Sequence, residues 1–210
     1  MLEVAAPSAV APVVRKLGRI EYAEALAAMR KFTAHRADET PDELWLLEHP
    51  PVYTLGLGAD PAHGPMEGTG IDVVRVERGG EVTYHGPGQA IVYTLIDLAR
   101  RGIKVKAFVR LLEQAVIDLL GPGAARRPGA PGVYVDGAKV AALGIRVMRG
   151  RAYHGLALNV DMDLAPFSAI DPCGYPGLPV TQTRDLGLAG TPDEVGERLA
   201  GLLISHLEHA

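Results

Sequence analysis

The sequence predicts a single loop-rich domain of the α/β or α+β class. Three stretches carry apolar residues at the three- and four-residue spacing of helices, and several short segments have the β-branched and aromatic content of strands. The chain has 210 residues, and its 25 glycines and 16 prolines indicate many turns. We expect residues 1–13 to form a loosely ordered lead-in and residues 14–210 to form one domain.

Apolar periodicity and end signals define the three helices. The first is predicted over 21–36, where the buried side is formed by Tyr22, Leu26, Met29 and Phe32. The second is predicted over 105–120 and ends at Gly121-Pro122. The last begins after Thr191, with Pro192 in its first position and Glu194 placed for a capping box. Leucines 199, 202, 203 and 207 form its buried side.

Short runs of strand-forming residues lie between the first two helices and after the second. The first group is predicted at 44–48, 52–57, 73–77 and 90–96. The second group, 133–135, 139–148 and 152–160, is predicted to form a three-stranded meander. Its first turn is Asp136-Gly137, because this dipeptide supplies the positive φ angles of a tight hairpin. Lys139 therefore lies close to a turn.

Charge and cysteine content exclude several function classes. The formal net charge is −4, which argues against nonspecific nucleic-acid binding. No stretch is long and apolar enough to cross a membrane, and Pro7 and Pro12 interrupt the N-terminal apolar stretch where a signal peptide would be continuous. A lone cysteine can form no intramolecular disulfide. We expect a cytoplasmic protein with a reduced thiol.

That cysteine, Cys173, lies in the segment Pro172-Cys173-Gly174-Tyr175-Pro176-Gly177. So many prolines and glycines exclude a helix interior or a central strand, so the thiol belongs to a loop. A loop thiol suits covalent chemistry, whereas the alternative is a small buried hydrophobe. The sequence around Cys173 alone does not decide between them, so partner residues are needed.

Lys139 is one candidate partner, because it lies in an apolar run of small residues from 138 to 144. The alternative is a lysine at a strand end with its ammonium in water. Beside a thiol, an ammonium favours the thiolate, and a neutral amine can accept a proton in a later step. Lys139 and Cys173 are 34 positions apart, and this spacing does not show by itself that the two meet.

A second concentration of unusual residues is the glycine-rich segment 78–89. Its four glycines allow close approach of the backbone to a ligand, so it could line a narrow substrate slot. It has neither the Gly-Lys-Ser/Thr of a phosphate-binding loop nor the glycine order of a dinucleotide site. The alternative is a tight hairpin whose glycines serve only the turn.

The seven histidines suggest a metal site only weakly. None of them falls in a ligand spacing typical of zinc, so we expect no metal. His85 and His154 each precede a glycine and could instead activate Cys173, as in a cysteine hydrolase. An acyl-thioesterase that uses a histidine is therefore one alternative function, and it would release free fatty acid.

Four motifs, in this order and spacing, resemble those of the octanoyltransferases of lipoate biosynthesis. They are Arg78-Gly79-Gly80-x-x-Thr83-Tyr84-His85-Gly86-Pro87-Gly88-Gln89, Gly137-x-Lys139-x-Ala141-x-x-Gly144, His154-Gly155-x-Ala157-x-Asn159-Val160 and Pro172-Cys173-Gly174. The resemblance runs from about residue 48 to residue 186. It implies an α+β fold like that of the biotin and lipoate protein ligases, a single domain with a mixed β-sheet and flanking helices.

The resemblance also implies roles for individual residues. Cys173 would be the acyl-thioester nucleophile and Lys139 its activator in a catalytic dyad. The acyl substrate would be bound by three segments, namely Arg78, Gly79, Gly80, Glu81, Val82, Thr83, Tyr84 and His85, then Ala142, Leu143 and Gly144, then Gly155, Leu156 and Ala157. Residues 14–210 would be one catalytic acyltransferase domain.

The resemblance implies the partners as well. The donor would be octanoyl-acyl carrier protein, and the acceptors would be lipoyl domains of 2-oxo acid dehydrogenase E2 subunits and the glycine cleavage H protein. No cofactor is expected, because a thioester already carries the energy for amide formation. Both kinds of partner are typically acidic, so a basic patch could dock them, and Arg100 to Lys106 or Arg146, Arg149 and Arg151 are candidates. The alternative is that these residues form ordinary solvated surface.

Two further alternatives remain open at this point. One is a noncatalytic module that binds lipoyl domains or acyl chains, for which Cys173→Ser would retain full function. The other is an ATP-dependent lipoate ligase, which would share the fold and form no thiol intermediate. The context of Cys173 argues against the second.

Overall fold

The computed structural model of the protein describes residues 10–65 and 68–210. Within them the helices are α1 (Tyr22–His35), α2 (Leu98–Arg101), α3 (Val105–Leu120) and α4 (Pro192–Glu208). The strands are β1 (Val13–Arg19), β2 (Glu43–Glu48), β3 (Val52–Leu55), β4 (Asp72–Arg75), β5 (Val82–His85), β6 (Gln89–Asp97), β7 (Ala124–Arg127), β8 (Ala130–Val135), β9 (Ala138–Met148) and β10 (Arg151–Asn159). Three 3₁₀ turns cover Pro61–His63, Ala165–Ala169 and Pro172–Gly174. No helix in the described part of the chain is long and apolar enough to cross a membrane.

The strands form two sheets. The larger one has the order β1-β2-β6-β10-β9-β8-β7, and the smaller one has the order β4-β3-β5. Pairing is parallel between β1 and β2 and between β3 and β4, and antiparallel elsewhere, so both sheets are mixed. Every residue of β6 is buried, as expected for a strand in the middle of a sheet that is covered on both faces.

Helices cover both faces of the larger sheet. On one face α3 and α4 pack through a large apolar cluster that includes Phe108, Leu112, Leu199 and Leu203, all fully buried. Each such side chain stabilises the fold by about 1.5–3 kcal/mol through removal from water. On the other face α1 packs through Leu26 and Met29 and their neighbours. The smaller sheet has its own cluster around Tyr53 and Tyr84.

Most predicted elements are confirmed. Helix α3 has the predicted bounds, and α1 and α4 begin or end within a residue or two of their predicted positions or signals. The capping box at the start of α4 is present, since Thr191 and Glu194 exchange side-chain to backbone hydrogen bonds. The meander β8-β9-β10 is also confirmed, and Asp136 and Gly137 both have positive φ in its first turn. The α+β class with a mixed sheet and flanking helices is therefore confirmed.

Four short elements are absent from the sequence-based assignment. Strand β1 pairs with β2 through its backbone and through the ion pair of Arg15 with Glu43, and all seven of its residues are exposed. Strands β5 and β7 have four residues each, as does helix α2, too few for a period to appear. Of the predicted lead-in, residues 1–9 lie outside the described residues, and Val13, its last residue, begins β1.

Candidate active site

Cys173 lies in the 3₁₀ turn that connects the region after β10 to α4. Its backbone has φ +59° and ψ +20°, a left-handed conformation that is uncommon for a residue other than glycine. The turn is closed by a hydrogen bond from the Gly174 N–H to the Asp171 carbonyl at 2.9 Å. The Asp171 N–H in turn donates to the His63 carbonyl at 3.1 Å. The thiol is thus partly exposed on a backbone that its neighbours fix.

Lys139 meets this thiol from β9. Its Nζ atom lies 2.7 Å from Cys173 Sγ and 3.2 Å from the Pro131 carbonyl oxygen, and only 6 % of the residue is exposed. The backbone explains how residues so far apart in sequence meet. The Lys139 N–H donates to the Pro179 carbonyl at 2.8 Å, and the Lys139 carbonyl accepts from the Thr181 N–H at 2.9 Å. The chain just after Cys173 is therefore attached to the start of β9.

Two residues of β8 shape the space around the Lys139 side chain. Gly132 has φ +146°, and a Cβ atom there would lie 2.8 Å from Lys139 Cε and 2.7 Å from the Ala141 carbonyl oxygen. Only glycine leaves room for the lysine stem at that point. The Tyr134 ring centroid lies 5.7 Å from the Lys139 ammonium, and burial together with the charge of the neighbouring Cys173 raises the pKa of Tyr134.

A cavity of about 190 Å³ extends inward from Cys173 and Lys139. Its walls come largely from the three predicted substrate segments, and additional apolar surface comes from Ile91, Val109 and Leu112. The lining residues among those predicted are Arg78, Gly79, Gly80, Glu81, Val82, Thr83, His85, Ala142, Leu143, Gly144, Gly155, Leu156 and Ala157. Tyr84 is the exception, because its side chain points to the other face of β5 and packs against Tyr53 and Phe167. Alternation along a strand separates Tyr84 from its neighbours Thr83 and His85.

Glycines let two segments of this wall touch. A Cβ atom on Gly144 would lie 2.9 Å from the Gly79 carbonyl oxygen, and the Gly79 N–H donates to the Ile145 carbonyl at 2.9 Å. The glycine-rich loop and β9 are thus joined backbone to backbone along one side of the cavity. Any side chain at these positions would separate the two segments or fill the slot.

Arg78 is buried at the base of the glycine-rich loop. Its guanidinium donates to the Thr54 carbonyl and to Thr54 Oγ1, both at 2.7 Å, and to the Glu81 carbonyl at 2.9 Å. Burial lowers the pKa of Arg78, although a guanidinium stays charged at any physiological pH. Arg78 therefore ties the loop to β3 and places a positive charge beside the cavity.

Two buried histidines, His85 of β5 and His154 of β10, line the cavity. The Nδ1 atom of His85 lies 2.8 Å from Gln89 Oε1, and burial lowers its pKa to about 3. His154 has φ +62° within β10, and both of its ring nitrogens are buried without a hydrogen-bond partner in the described structure. Burial lowers the pKa of His154 to about 3 as well. Both rings are therefore neutral near pH 7.

Residues 21–202 match the family model for the lipoyl protein ligase A/B catalytic domain. The octanoyltransferase of Aromatoleum aromaticum is 60% identical over 190 residues, which cover 89% of this chain and 82% of that protein. The chain belongs to the lipoyl protein ligase A/B family, among its octanoyltransferases. It is thus an acyltransferase, and the resemblance drawn from the four motifs is confirmed.

Two solved structures show the same fold. A bipartite lipoate protein ligase from Thermoplasma acidophilum, studied with its E2 lipoyl domain, superposes with a TM-score of 0.75 at 18% identity, over 94% of this chain and 84% of that one. A biotin protein ligase from Aquifex aeolicus superposes with a TM-score of 0.55 at 10% identity, over 93% and 70% of the two chains. The predicted likeness to the biotin and lipoate ligase fold is confirmed.

Within this octanoyltransferase-like site, the thiol has a lysine rather than a histidine as its bonded neighbour. His85 is bonded to Gln89, and neither ring nitrogen of His154 reaches any hydrogen-bond partner in the described residues. His63 lies beside the Cys173 turn, where a Cβ atom on Gly174 would be 3.2 Å from its Cε1 atom, but no hydrogen bond joins its ring to the thiol in the described residues. In the described residues the hydrogen-bond neighbour of the thiol is therefore the amine of Lys139 and not a histidine.

Three of the seven basic residues in the two predicted patches make ion pairs within the fold. Arg100 and Arg101 both bond to the buried carboxylate of Asp42, at 2.7 and 2.6 Å. Arg151 Nε lies 3.3 Å from Asp97 Oδ2. These three arginines hold the fold together, whereas Arg146 and Arg149 are exposed. Near the thiol, Arg127 instead stacks on the exposed ring of Tyr175, with its guanidinium carbon 4.4 Å from the ring centroid.

Proposed function

We propose that the protein transfers an octanoyl group from an acyl carrier protein to a lysine of a lipoyl domain, through a thioester on Cys173. The observation that carries the proposal is the 2.7 Å contact between Lys139 Nζ and Cys173 Sγ, at the outer end of a largely apolar cavity. A thiol paired with an amine can be both nucleophile and leaving group, and the cavity can hold an acyl chain.

In the first half-reaction the Cys173 thiolate attacks the carbonyl carbon of the octanoyl thioester. A C–S bond to Cys173 forms, the C–S bond to the carrier breaks, and the carrier leaves as a thiol that takes a proton from the Lys139 ammonium. Lys139 is left as a neutral amine beside the new thioester. The bond energy of the thioester is kept, so no nucleotide or other cofactor is needed.

In the second half-reaction the acceptor lysine attacks the enzyme thioester as a neutral amine. A C–N bond forms and the C–S bond to Cys173 breaks, while Lys139 accepts the proton that the attacking amine loses. Products are the octanoyl amide, the Cys173 thiolate and the Lys139 ammonium, which is the starting state. One lysine thus donates a proton in one step and accepts a proton in the next, which needs its position to stay fixed against the sulfur.

The donor, the covalent intermediate and the acceptor can be tested together by intact-protein mass. The protein is incubated with octanoyl-acyl carrier protein, and a lipoyl domain is then added. We expect an octanoyl adduct on the unmodified sequence, no adduct on Cys173→Ala, and a large loss of adduct formation on Lys139→Met. The matched control is Lys31→Met, at an exposed lysine of α1 outside both candidate docking patches, and it should form the adduct normally.

Each alternative function predicts a different result in this experiment. Free octanoate without transfer to the lipoyl domain would identify a thioesterase. Transfer that needs ATP and proceeds with Cys173→Ala would identify a ligase. Stable binding without any turnover would identify a noncatalytic module. The proposed function requires the adduct on Cys173 to disappear as the octanoylated lipoyl domain appears.

A further inference from the structure

Glu113 is a buried carboxylate on α3 that the proposed reaction does not use. It lies on the helix face that packs toward the larger sheet, next to Leu112, and is 6 % exposed. Its Oε2 atom accepts from Arg126 Nε at 3.0 Å, and its Oε1 atom accepts from the Gly132 N–H at 3.2 Å. A carboxylate in such a place destabilises a fold unless it is bonded, so these two contacts explain how it is tolerated.

The contact with Gly132 leads directly to the lysine of the active site. The Gly132 N–H and the Pro131 carbonyl belong to one planar peptide unit, and they point in opposite directions. The N–H is held by Glu113 at 3.2 Å, and the carbonyl oxygen is held 3.2 Å from Lys139 Nζ. Because the unit is rigid, fixing its N–H end also fixes the direction of its carbonyl.

Gly132 makes this restraint necessary. A glycine can rotate the peptide unit that precedes it at little cost, because it has no Cβ to clash, and Gly132 has the positive φ of +146° that makes room for Lys139. If that peptide turned over, the Pro131 carbonyl would leave Lys139 Nζ with Cys173 as its remaining hydrogen-bond neighbour in the described residues. Gly132 makes room for the Lys139 side chain, but by itself it does not fix the direction of the Pro131 carbonyl that accepts from Lys139 Nζ.

We propose that Glu113 is a positioning residue, whose carboxylate orients the Pro131–Gly132 peptide so that the Pro131 carbonyl holds the Lys139 amine against Cys173. The proposal rests on the proposed function only for the catalytic use of the lysine-thiol pair. The position of the pair itself is a property of the free protein. Arg126 has a supporting part, because its guanidinium bonds the second carboxylate oxygen and keeps the first directed at Gly132.

The test compares Glu113→Gln with Glu113→Met in the full chain. Both replacements keep the length of the side chain, but only glutamine keeps an oxygen that can accept from the Gly132 N–H. The readout is the rate at which iodoacetamide alkylates Cys173, measured as a function of pH, because this rate reports the thiolate and needs no substrate. Circular dichroism and thermal unfolding confirm that each variant is folded.

We expect Glu113→Met to slow alkylation at pH 7 by about tenfold and to move the rate profile to higher pH, since a lost hydrogen bond of ordinary strength has an effect of about that size. Glu113→Gln should stay near the unmodified protein. The matched control is Gln114→Ala, which removes the neighbouring contact of α3 with Arg126 and leaves the Gly132 contact in place. It should leave the profile unchanged. If Glu113→Met does not fold, Glu113→Asp carries the same test, because it withdraws the carboxylate by one methylene.

Three results would overturn the proposal. The first is a folded Glu113→Met variant with the normal alkylation profile, and the second is an equal loss in the Gln and Met variants. The third is a loss in Gln114→Ala as large as that in Glu113→Met, which would indicate a general disturbance of α3. Failure of the proposed function would be seen separately, as absence of octanoyl transfer by the unmodified protein, and it would leave the alkylation comparison valid.

Discussion

The Nζ atom of Lys139 lies 2.7 Å from the Sγ atom of Cys173, although the two residues are 34 positions apart in sequence. The two are joined because the segment after Cys173 pairs with the start of β9, where Val180 forms a parallel bridge with Lys139. A buried lysine next to a sulfur stabilises the thiolate, and the sulfur in turn makes the buried amine tolerable. Each group thus accounts for the presence of the other.

Replacement of Lys139 by methionine should therefore slow the reaction of Cys173 with iodoacetamide at pH 7 by about tenfold or more. The methionine side chain fills similar space and carries neither charge nor proton, so the change isolates the amine. The measurement is the second-order rate of alkylation across the range in which the thiol titrates. Lys106→Met, at an exposed position of α3, should react as the unmodified protein does. Equal rates for both variants would show that the amine does not act on the thiol.

Gly155→Ala should destabilise the protein by about 1–3 kcal/mol through overpacking in the middle of the larger sheet. A Cβ atom at Gly155 would lie 2.1 Å from the Val92 carbonyl oxygen of β6, and a backbone atom between paired strands has no free space to move into. The measurement is the free energy of unfolding in urea.

Gly201→Ala is the matched control for that substitution. Position 201 is exposed on α4, and an alanine Cβ there would meet no atom within 4 Å outside the backbone of its own helix. The alanine should raise the free energy of unfolding by up to about 1 kcal/mol, because alanine is the better helix former. A Gly155→Ala variant as stable as the unmodified protein would contradict the contact on which this prediction rests.

The larger elements could be predicted because their signals are local. Helix α3 repeats apolar residues at helical spacing up to Gly121, and the start of α4 carries its capping box in the order Thr191, Pro192, Glu194. Strand β1 has no such signal. It is an edge strand whose seven residues are all exposed, so no alternation of apolar and polar residues marks it. Its existence depends on pairing with β2, through backbone hydrogen bonds and the ion pair of Arg15 with Glu43, and only the tertiary fold provides these contacts.

In the candidate site too, local features could be predicted from the sequence and long-range contacts could not. Loop context makes Cys173 a candidate nucleophile, and the apolar run around Lys139 makes that lysine a candidate partner, but neither signal by itself decides the role of its residue. The contact between Cys173 and Lys139 depends on a long-range β-bridge, and the acceptor at Pro131 is a backbone carbonyl. Neither feature can be predicted from residue types. Glu113 occupies a buried position of α3, although a glutamate in an amphipathic helix is ordinarily solvated. Only its contact with Gly132 distinguishes it.

The apolar cavity predicts a graded preference for acyl chain length in the proposed reaction. Removal of two methylenes from an octanoyl chain forfeits about 1.6 kcal/mol of burial, so hexanoyl carrier protein should show a kcat/KM about tenfold lower. Shortening Leu143 to alanine enlarges the cavity that it lines and should move the preference toward decanoyl. The measurement is kcat/KM for the three donors with each protein. Equal values for hexanoyl and octanoyl donors would exclude the cavity as the acyl site.

Three buried histidines should make the free energy of unfolding fall already below pH 6.5, well above the pH at which carboxylates titrate. Burial lowers the pKa of His49 to about 4 and those of His85 and His154 to about 3, against 6.5 in an unfolded chain. Between these values the unfolded chain binds more protons than the folded one. The contribution of the neutral rings to the free energy of unfolding is therefore fully present above pH 6.5, and it is lost as the pH falls toward 4 for His49 and toward 3 for His85 and His154.

From pH 7 to pH 5 each of these histidines should lower the free energy of unfolding by on the order of 2 kcal/mol. Urea unfolding at the two pH values measures the total. His154→Phe should remove one share of the difference, because a phenyl ring fits the same aromatic contact with Tyr153 and binds no proton. His209→Gln, at an exposed position near the C-terminus, should leave the difference unchanged. A free energy of unfolding that is the same at both pH values would mean that the buried rings take up protons without unfolding, and hence that water reaches the wall of the cavity they form.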